Sequence, residues 1–208
     1  MMGRQGFAHV RMAGNMFRSI GLTALAFAMA ACRYEPVAAP SLGKRDTELL
    51  ALVPTAELHL PFERYRIDDP TGQKPGTIVV DTKTKFLYFV QPDGKAIRYG
   101  VAVGDEAFGW TGEAVIQRKA EWPHWTPPAE MVRRWPHVRP TSGGPENPLG
   151  ARALYLYSGG RDTLYRIHGT NEPEKIGRAV SSGCIRMRNI DVIDLYNRVP
   201  SGTKVIVM

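Results

Sequence analysis

Cysteine is nearly absent from this chain: Cys32 and Cys184 are the two in 208 residues. A disulfide framework is therefore excluded, since a single pairing is the most the chain can form. Histidine is sparse as well, and only His124 and His137 are candidates to join His168 and Cys184 around an ion. Zinc takes three or four ligands at short recurring spacings, and no such spacing occurs, so neither a metal nor another cofactor is expected. No Lys/Arg cluster with interleaved aromatics stands out, which argues against a nucleic-acid partner. No apolar run reaches the roughly 20 residues of a membrane span. Internal repeats and low-complexity tracts are absent too.

The apolar run from Ile20 to Ala31 follows Arg4, Arg11 and Arg18, with no acidic residue before it. A positive start, about a dozen apolar residues and small residues at the end have the form of a secretory signal. Residues 1–31 are read as that signal, with Met16 as a second candidate start. Met29-Ala30-Ala31-Cys32 resembles a lipoprotein cleavage box, with Met where Leu is usual, so Cys32 is a candidate for lipidation. Cleavage after Ala30 by an ordinary signal peptidase is the competing outcome, and a Cys32–Cys184 disulfide is another. Membrane attachment is expected only through such an N-terminal lipid. Taking the three leader arginines from 27 basic residues leaves 24 against 20 acidic ones, a net charge of about +4. A mildly positive chain suits an anionic polymer as partner.

Residues 32–75 carry Pro36, Pro40, Pro54, Pro61 and Pro70 and read as a tether or peripheral arm, with a helical turn or two between Thr47 and Val53. From Gly76 the pattern changes. Thr77 to Asp81, Lys85 to Val90 and Lys95 to Gly104 predict three strands, joined by Thr82-Lys83-Thr84 and Pro92-Asp93-Gly94. Further strands are predicted over Glu113–Lys119, Ala153–Tyr157, Leu164–His168 and Lys204–Met208. The fold class is mainly β: an antiparallel β-sandwich or open barrel over residues 76–208, with one or two short helices. From Trp122 to Pro148 the chain is irregular and holds Trp122, Trp125 and Trp135 beside His124 and His137. So long an irregular insertion is usually functional, and it is read as an ordered lid. An apolar cover that never touches substrate is the other reading.

Chemistry concentrates in two stretches, Ile167-His168-Gly169-Thr170-Asn171-Glu172-Pro173 and Ser181-Ser182-Gly183-Cys184-Ile185-Arg186-Met187. A thiol attacks as its thiolate, so it needs a base or a positive setting. His168 can supply the base and Arg186 the charge. Asn189 to Val199 reads as a short helix with Asn189 as N-cap and Asp191 in its first turn. The N–H groups of Gly183 and Cys184 are candidates to stabilise an oxyanion. Ser181 and Ser182 are either oxyanion donors or loop formers. Arg186 could instead pair with Asp191 or Asp194.

His168-Gly169 followed by Ser181-Ser182-Gly183-Cys184-Ile185-Arg186 resembles the signature of the YkuD-type L,D-transpeptidases of bacterial cell walls (ErfK/YbiS-like enzymes). The likeness runs from about Gly76 to the C-terminus, and Ser182 stands where the family often has His. The resemblance implies a cysteine acyltransferase with Cys184 as nucleophile and His168 as general base. Arg186 would order the loop or hold a substrate carboxylate, with Gly183, Ser181 and Gly169 lining the site and Trp122, Trp125 and His124 in the lid. It implies a periplasmic enzyme acting on peptidoglycan stem peptides, forming 3–3 cross-links with release of D-Ala. Within the same chemistry stand an L,D-carboxypeptidase or endopeptidase and an enzyme that joins a protein lysine to the wall. A wall-binding module without activity is the reading from another class.

Overall fold

The computed structural model describes residues 34–105 and 109–208. The expected signal and the candidate lipidation site Cys32 lie outside the described residues. The centre of the fold is β3 (Ile78–Asp81), which opens with three β-branched residues buried on both faces. It pairs antiparallel with β4 (Phe86–Gln91), and β4 with β5 (Lys95–Gly100). Between β4 and β5 the chain reverses with positive φ at both Asp93 (61°) and Gly94 (64°), the backbone of a tight hairpin turn. These strands, β7 (Gly112–Glu121), β8 (Arg152–Ser158) and β9 (Arg161–His168) are where the alternation and turn residues predict them, within a few residues at each end.

The other strands are β1 (Glu35–Pro36), β2 (Tyr65–Asp68), β6 (Val103–Gly104), β10 (Ala179–Ser181), β11 (Ile185–Arg186) and β12 (Lys204–Val207). Among the described residues they form a ten-stranded sheet in the order β1-β2-β5-β4-β3-β12-β7-β8-β9-β11, and a two-stranded sheet of β10 with β6. The fold is mainly β, as expected, and does not close into a barrel. It is mixed rather than antiparallel throughout, because β12 runs parallel to β3, β11 parallel to β9 and β10 parallel to β6. Three α-helices stand among the described residues, α1 (Lys44–Leu50), α2 (Ala129–Arg134) and α3 (Asn189–Arg198), where one or two were expected. No helix among these residues is long and apolar enough to cross a membrane.

The core lies between the sheet and α3. Val192 and Leu195 pack with Ile78, Leu87, Leu154, Leu156, Ile167 and Val205, all essentially without exposure. The same helix buries two carboxylates. Asp191 is held by Arg64 at 3.0 Å and Arg188 at 2.7 Å, while Asp194 accepts from the Tyr99 hydroxyl at 2.7 Å and pairs with Arg198.

The proline-rich segment proves not to be a free tether. β2 extends the sheet beside β5, and α1 lodges Asp46 against Arg152, with contacts of 2.9 and 2.6 Å, and against the Trp122 indole N–H at 2.8 Å. Its place is peripheral, and buried ion pairs fasten it together with apolar contacts of Val37 on the main core and of Leu49, Leu50 and Val53 on Trp122, Ala151 and Ile193. Composition is a poor guide to such packing, because each buried guanidinium–carboxylate pair needs only one residue from the segment.

Candidate active site

β11 lies parallel to the end of β9, with Ile185 opposite Ile167 and Arg186 opposite His168. Ile167 and Ile185 are buried in the core at 0% and 2% exposure, so the alternating residues on these strands face the other way. Cys184, Arg186, Arg166 and His168 thus share one face, with Cys184 one step along the register from Ile185 and across from Arg166. The two residues expected to form the reacting pair stand at adjacent strands, and the Cys184 sulfur lies 3.9 Å from the Leu164 carbonyl oxygen.

The His168 ring is buried, and its Nδ1 lies 2.6 Å from the Gly169 carbonyl oxygen. A carbonyl can only accept, so Nδ1 carries the proton and Nε2 keeps its lone pair. Burial first, and then the Arg186 and Arg166 guanidiniums, lower the imidazole pKa from its ordinary 6.5 to about 3, against a small opposing contribution from the Gly169 bond. The ring is neutral at physiological pH, with Nε2 unprotonated. Burial pushes the Cys184 thiol up, while a hydrogen bond from the Arg166 backbone and the charges of Arg166 and Arg186 draw it down. At rest both the thiol and the imidazole are neutral. The same two guanidiniums favour the thiolate and disfavour the imidazolium.

Ser181 folds the loop. Its hydroxyl donates to the Cys184 carbonyl at 2.6 Å and accepts from the Gly183 N–H at 3.2 Å. Two of the expected oxyanion groups, the Ser181 hydroxyl and the Gly183 N–H, are thus engaged with the loop itself. The Cys184 N–H has no hydrogen-bond partner among the described residues. Gly183 sits at φ +113°, a conformation that residues with a Cβ rarely adopt.

Arg186 pairs with Glu172 at 2.8 Å rather than with Asp191 or Asp194, whose partners are Arg64, Arg188 and Arg198. Glu172 also binds Lys175, and these two cations hold its carboxyl below the usual range. Arg186 therefore ties the Cys184 loop to the segment after His168.

Sequence reasoning misplaces Asn189. The N-cap is Arg188, and the Asn189 amide instead accepts from the N–H groups of Ala151 and Thr170, at 2.9 and 3.2 Å, and donates to the Thr170 carbonyl at 2.8 Å. It clamps the turn that follows His168. Gly169 is small for the same reason: a Cβ there would stand 2.1 Å from the Asn189 Oδ1. Nothing local in the sequence signals these contacts, because their partners are 19 and 38 positions away.

Trp122 is not a lid residue. It is 3% exposed and packs with Ala151 and Ile193, its indole bonded to Asp46. His124 is exposed, and Trp125 is half-buried, with a backbone pairing to Thr141. The insertion is stapled by Asn147, wholly buried, whose amide donates to the carbonyls of Pro123, Thr141 and Ser142 and accepts from the Leu149 N–H. α2 approaches the Cys184 loop, with Met131, Trp135 and Ser182 lining a cavity of about 120 Å³. A larger cavity of about 250 Å³, lined by Val53, Thr170 and Asn189, opens elsewhere and includes neither Cys184 nor His168, so size does not mark the site. Among the described residues no group of three His, Cys, Asp or Glu side chains is placed to hold a metal ion.

Residues 75–207 match the L,D-transpeptidase catalytic domain. The chain belongs to the YkuD-type L,D-transpeptidase family. The Probable L,D-transpeptidase YbiS of Escherichia coli K12 is 36% identical over 147 residues, 65% of this chain and 45% of that protein. The Probable L,D-transpeptidase ErfK/SrfK of the same strain is 34% identical over 184 residues, 80% of this chain and 56% of that protein. The chain spans about half the length of these two relatives. A crystal structure from Brucella melitensis, described as a probable carnitine operon oxidoreductase, is 47% identical over 73% of this chain and 96% of that one, with a TM-score of 0.50. In this L,D-transpeptidase domain the signature residues His168, Gly183, Cys184 and Arg186 all converge on the β9–β11 edge of the sheet.

Proposed function

We propose that this chain is a peptidoglycan L,D-transpeptidase that forms 3–3 cross-links through a thioester on Cys184. The observation that carries the reading is the shared face of Cys184 and His168, with Nε2 left as the imidazole's accepting nitrogen by the Nδ1 bond to Gly169. As the thiol sulfur attacks the carbonyl of the third residue of a tetrapeptide stem, its proton passes to Nε2. The developing oxyanion is received by the Cys184 N–H. Collapse breaks the amide bond, and the nitrogen of the departing D-Ala takes the proton from His168. The amine of a second stem then gives a proton to Nε2 and attacks the thioester. The new amide forms, the C–S bond breaks and the thiol is restored.

This reading places the enzyme outside the cytoplasm, at the wall, with the leader removed. Water or a protein lysine in place of the second amine would give a carboxypeptidase or a protein-anchoring enzyme from the same residues. Incubation of the exported chain with purified tetrapeptide stems, followed by mass analysis, tests all three. Dimers with a 3–3 link are expected. Tripeptides alone would show a hydrolase, and absence of both products and of any acyl adduct on Cys184 would overturn the enzyme reading.

A further inference from the structure

A row of side chains crosses four neighbouring strands on the face that holds Cys184. β7 and β8 set Arg118 opposite Tyr155, and β8 and β9 set Tyr155 opposite Arg166. One register step from the Ile185–Ile167 pair, Cys184 completes the row. Tyr155 is buried, and both guanidiniums stack on its ring, Arg118 at 3.5 Å and Arg166 at 4.5 Å from the centroid. The register shifts between Ile116 and Arg118, and such a bulge re-aims the side chain that follows it.

The two cations differ in what they have left to give. Arg166 is engaged by Asp162 through two contacts, at 2.7 and 2.9 Å. Arg118 is exposed and makes no direct hydrogen bond or ion pair among the described residues, its charge reaching only Asp162, whose carboxylate is already held by Arg166. A guanidinium lying flat on an aromatic ring keeps its edge N–H groups pointing outward, in the fork that matches a carboxylate. Stacking also fixes the side chain in advance, so less conformational freedom is lost on binding.

We propose that Arg118, held on Tyr155, is a carboxylate subsite that reads an acidic group of the acyl-donor peptide. Strands lie about 4.8 Å apart, so the Tyr155 ring stands roughly 10 Å from the Cys184 position, two strands over. Extended peptide covers about 3.3–3.6 Å per residue, which puts the acidic group some two to three residues of backbone from the carbonyl under attack. The subsite rests on the transpeptidase reading of Cys184, and it sorts donors before chemistry begins.

The test is a cycle of two changes. The wild-type chain and the Arg118→Ala and Arg118→Lys variants are assayed with a tetrapeptide stem and with stems whose free carboxylates are amidated one at a time. Arg118→Ala is expected to raise KM about 10- to 100-fold for the unmodified stem, with kcat nearly unchanged. One amidated stem should show the same loss with wild type and no further loss with Arg118→Ala. Arg118→Lys should recover only part, since an ammonium cannot form the fork. Equal losses on every stem, or no loss on any, overturn the subsite. Binding of the same stems to Cys184→Ala and to the Cys184→Ala, Arg118→Ala double variant, measured by calorimetry, separates the two ideas. If wild type turns over no stem but the double variant still binds at least tenfold more weakly, the reading of Cys184 falls and the subsite stands.

Discussion

His168 is folded into the chain as a neutral ring, and its acid–base behaviour follows from that. The unfolded ring takes up a proton near pH 6.5 and the native one only near 3, so between these values the unfolded state binds more protons. Stability therefore falls as pH falls through this window, by about 1.4 kcal/mol per unit from this one group. Denaturant unfolding between pH 6.5 and 5 should show that slope, and His168→Gln should remove it. The same substitution should lower turnover by about 10²- to 10⁴-fold, the range for a lost general base, with the fold intact by circular dichroism. With burial holding the thiol above its ordinary value, iodoacetamide labelling of Cys184 in the free chain should climb through pH 9 without a plateau near neutrality. That Cys184 and His168 would stand on one edge of the sheet was legible in the sequence, because a short motif carries both. The tautomer was not, since a backbone carbonyl one residue on decides it.

The turn after β9 and the start of α3 act as one unit through Asn189. Asn189→Ala leaves the N–H groups of Ala151 and Thr170 and the Thr170 carbonyl buried without partners, at about 1–3 kcal/mol each. Thermal unfolding should shift down sharply, and activity should fall even at temperatures where the chain remains folded. Gly169→Ala tests the same contact from the other side and should cost about 1–3 kcal/mol through overpacking against the Asn189 side chain. Strands with period-two alternation or β-branched runs were readable to within a few residues. The two-residue strand β11 and α2 within the insertion were not, and β6 was read as a continuation of β5, because such short pieces take their form from neighbours rather than from propensity. Asn189 was misread for a related reason: its place before a helical pattern suggests a cap, while its partners lie across the fold.

At the scale of the whole molecule, the stretch before residue 75 is joined to the catalytic domain by buried ion pairs as well as by apolar contacts. Asp46→Ala strands the buried Arg152 guanidinium with Glu121, 3.8 Å away, as its remaining acid, and should cost about 3–5 kcal/mol. A fragment of residues 75–208, the span of the family domain, should unfold at a lower denaturant midpoint than residues 34–208, since it loses both Asp46 and the Arg64 that faces Asp191. None of these long-range pairs could be read from sequence, where 106 and 127 positions separate the partners. The strand order has a kinetic consequence as well. β12 lies between β3 and β7 in the large sheet, yet it follows every other described strand in the chain. The parallel pairing of β3 with β12, Ile78 opposite Val205, forms only after the rest of the chain has emerged, so completion of the sheet is expected to be slow and late.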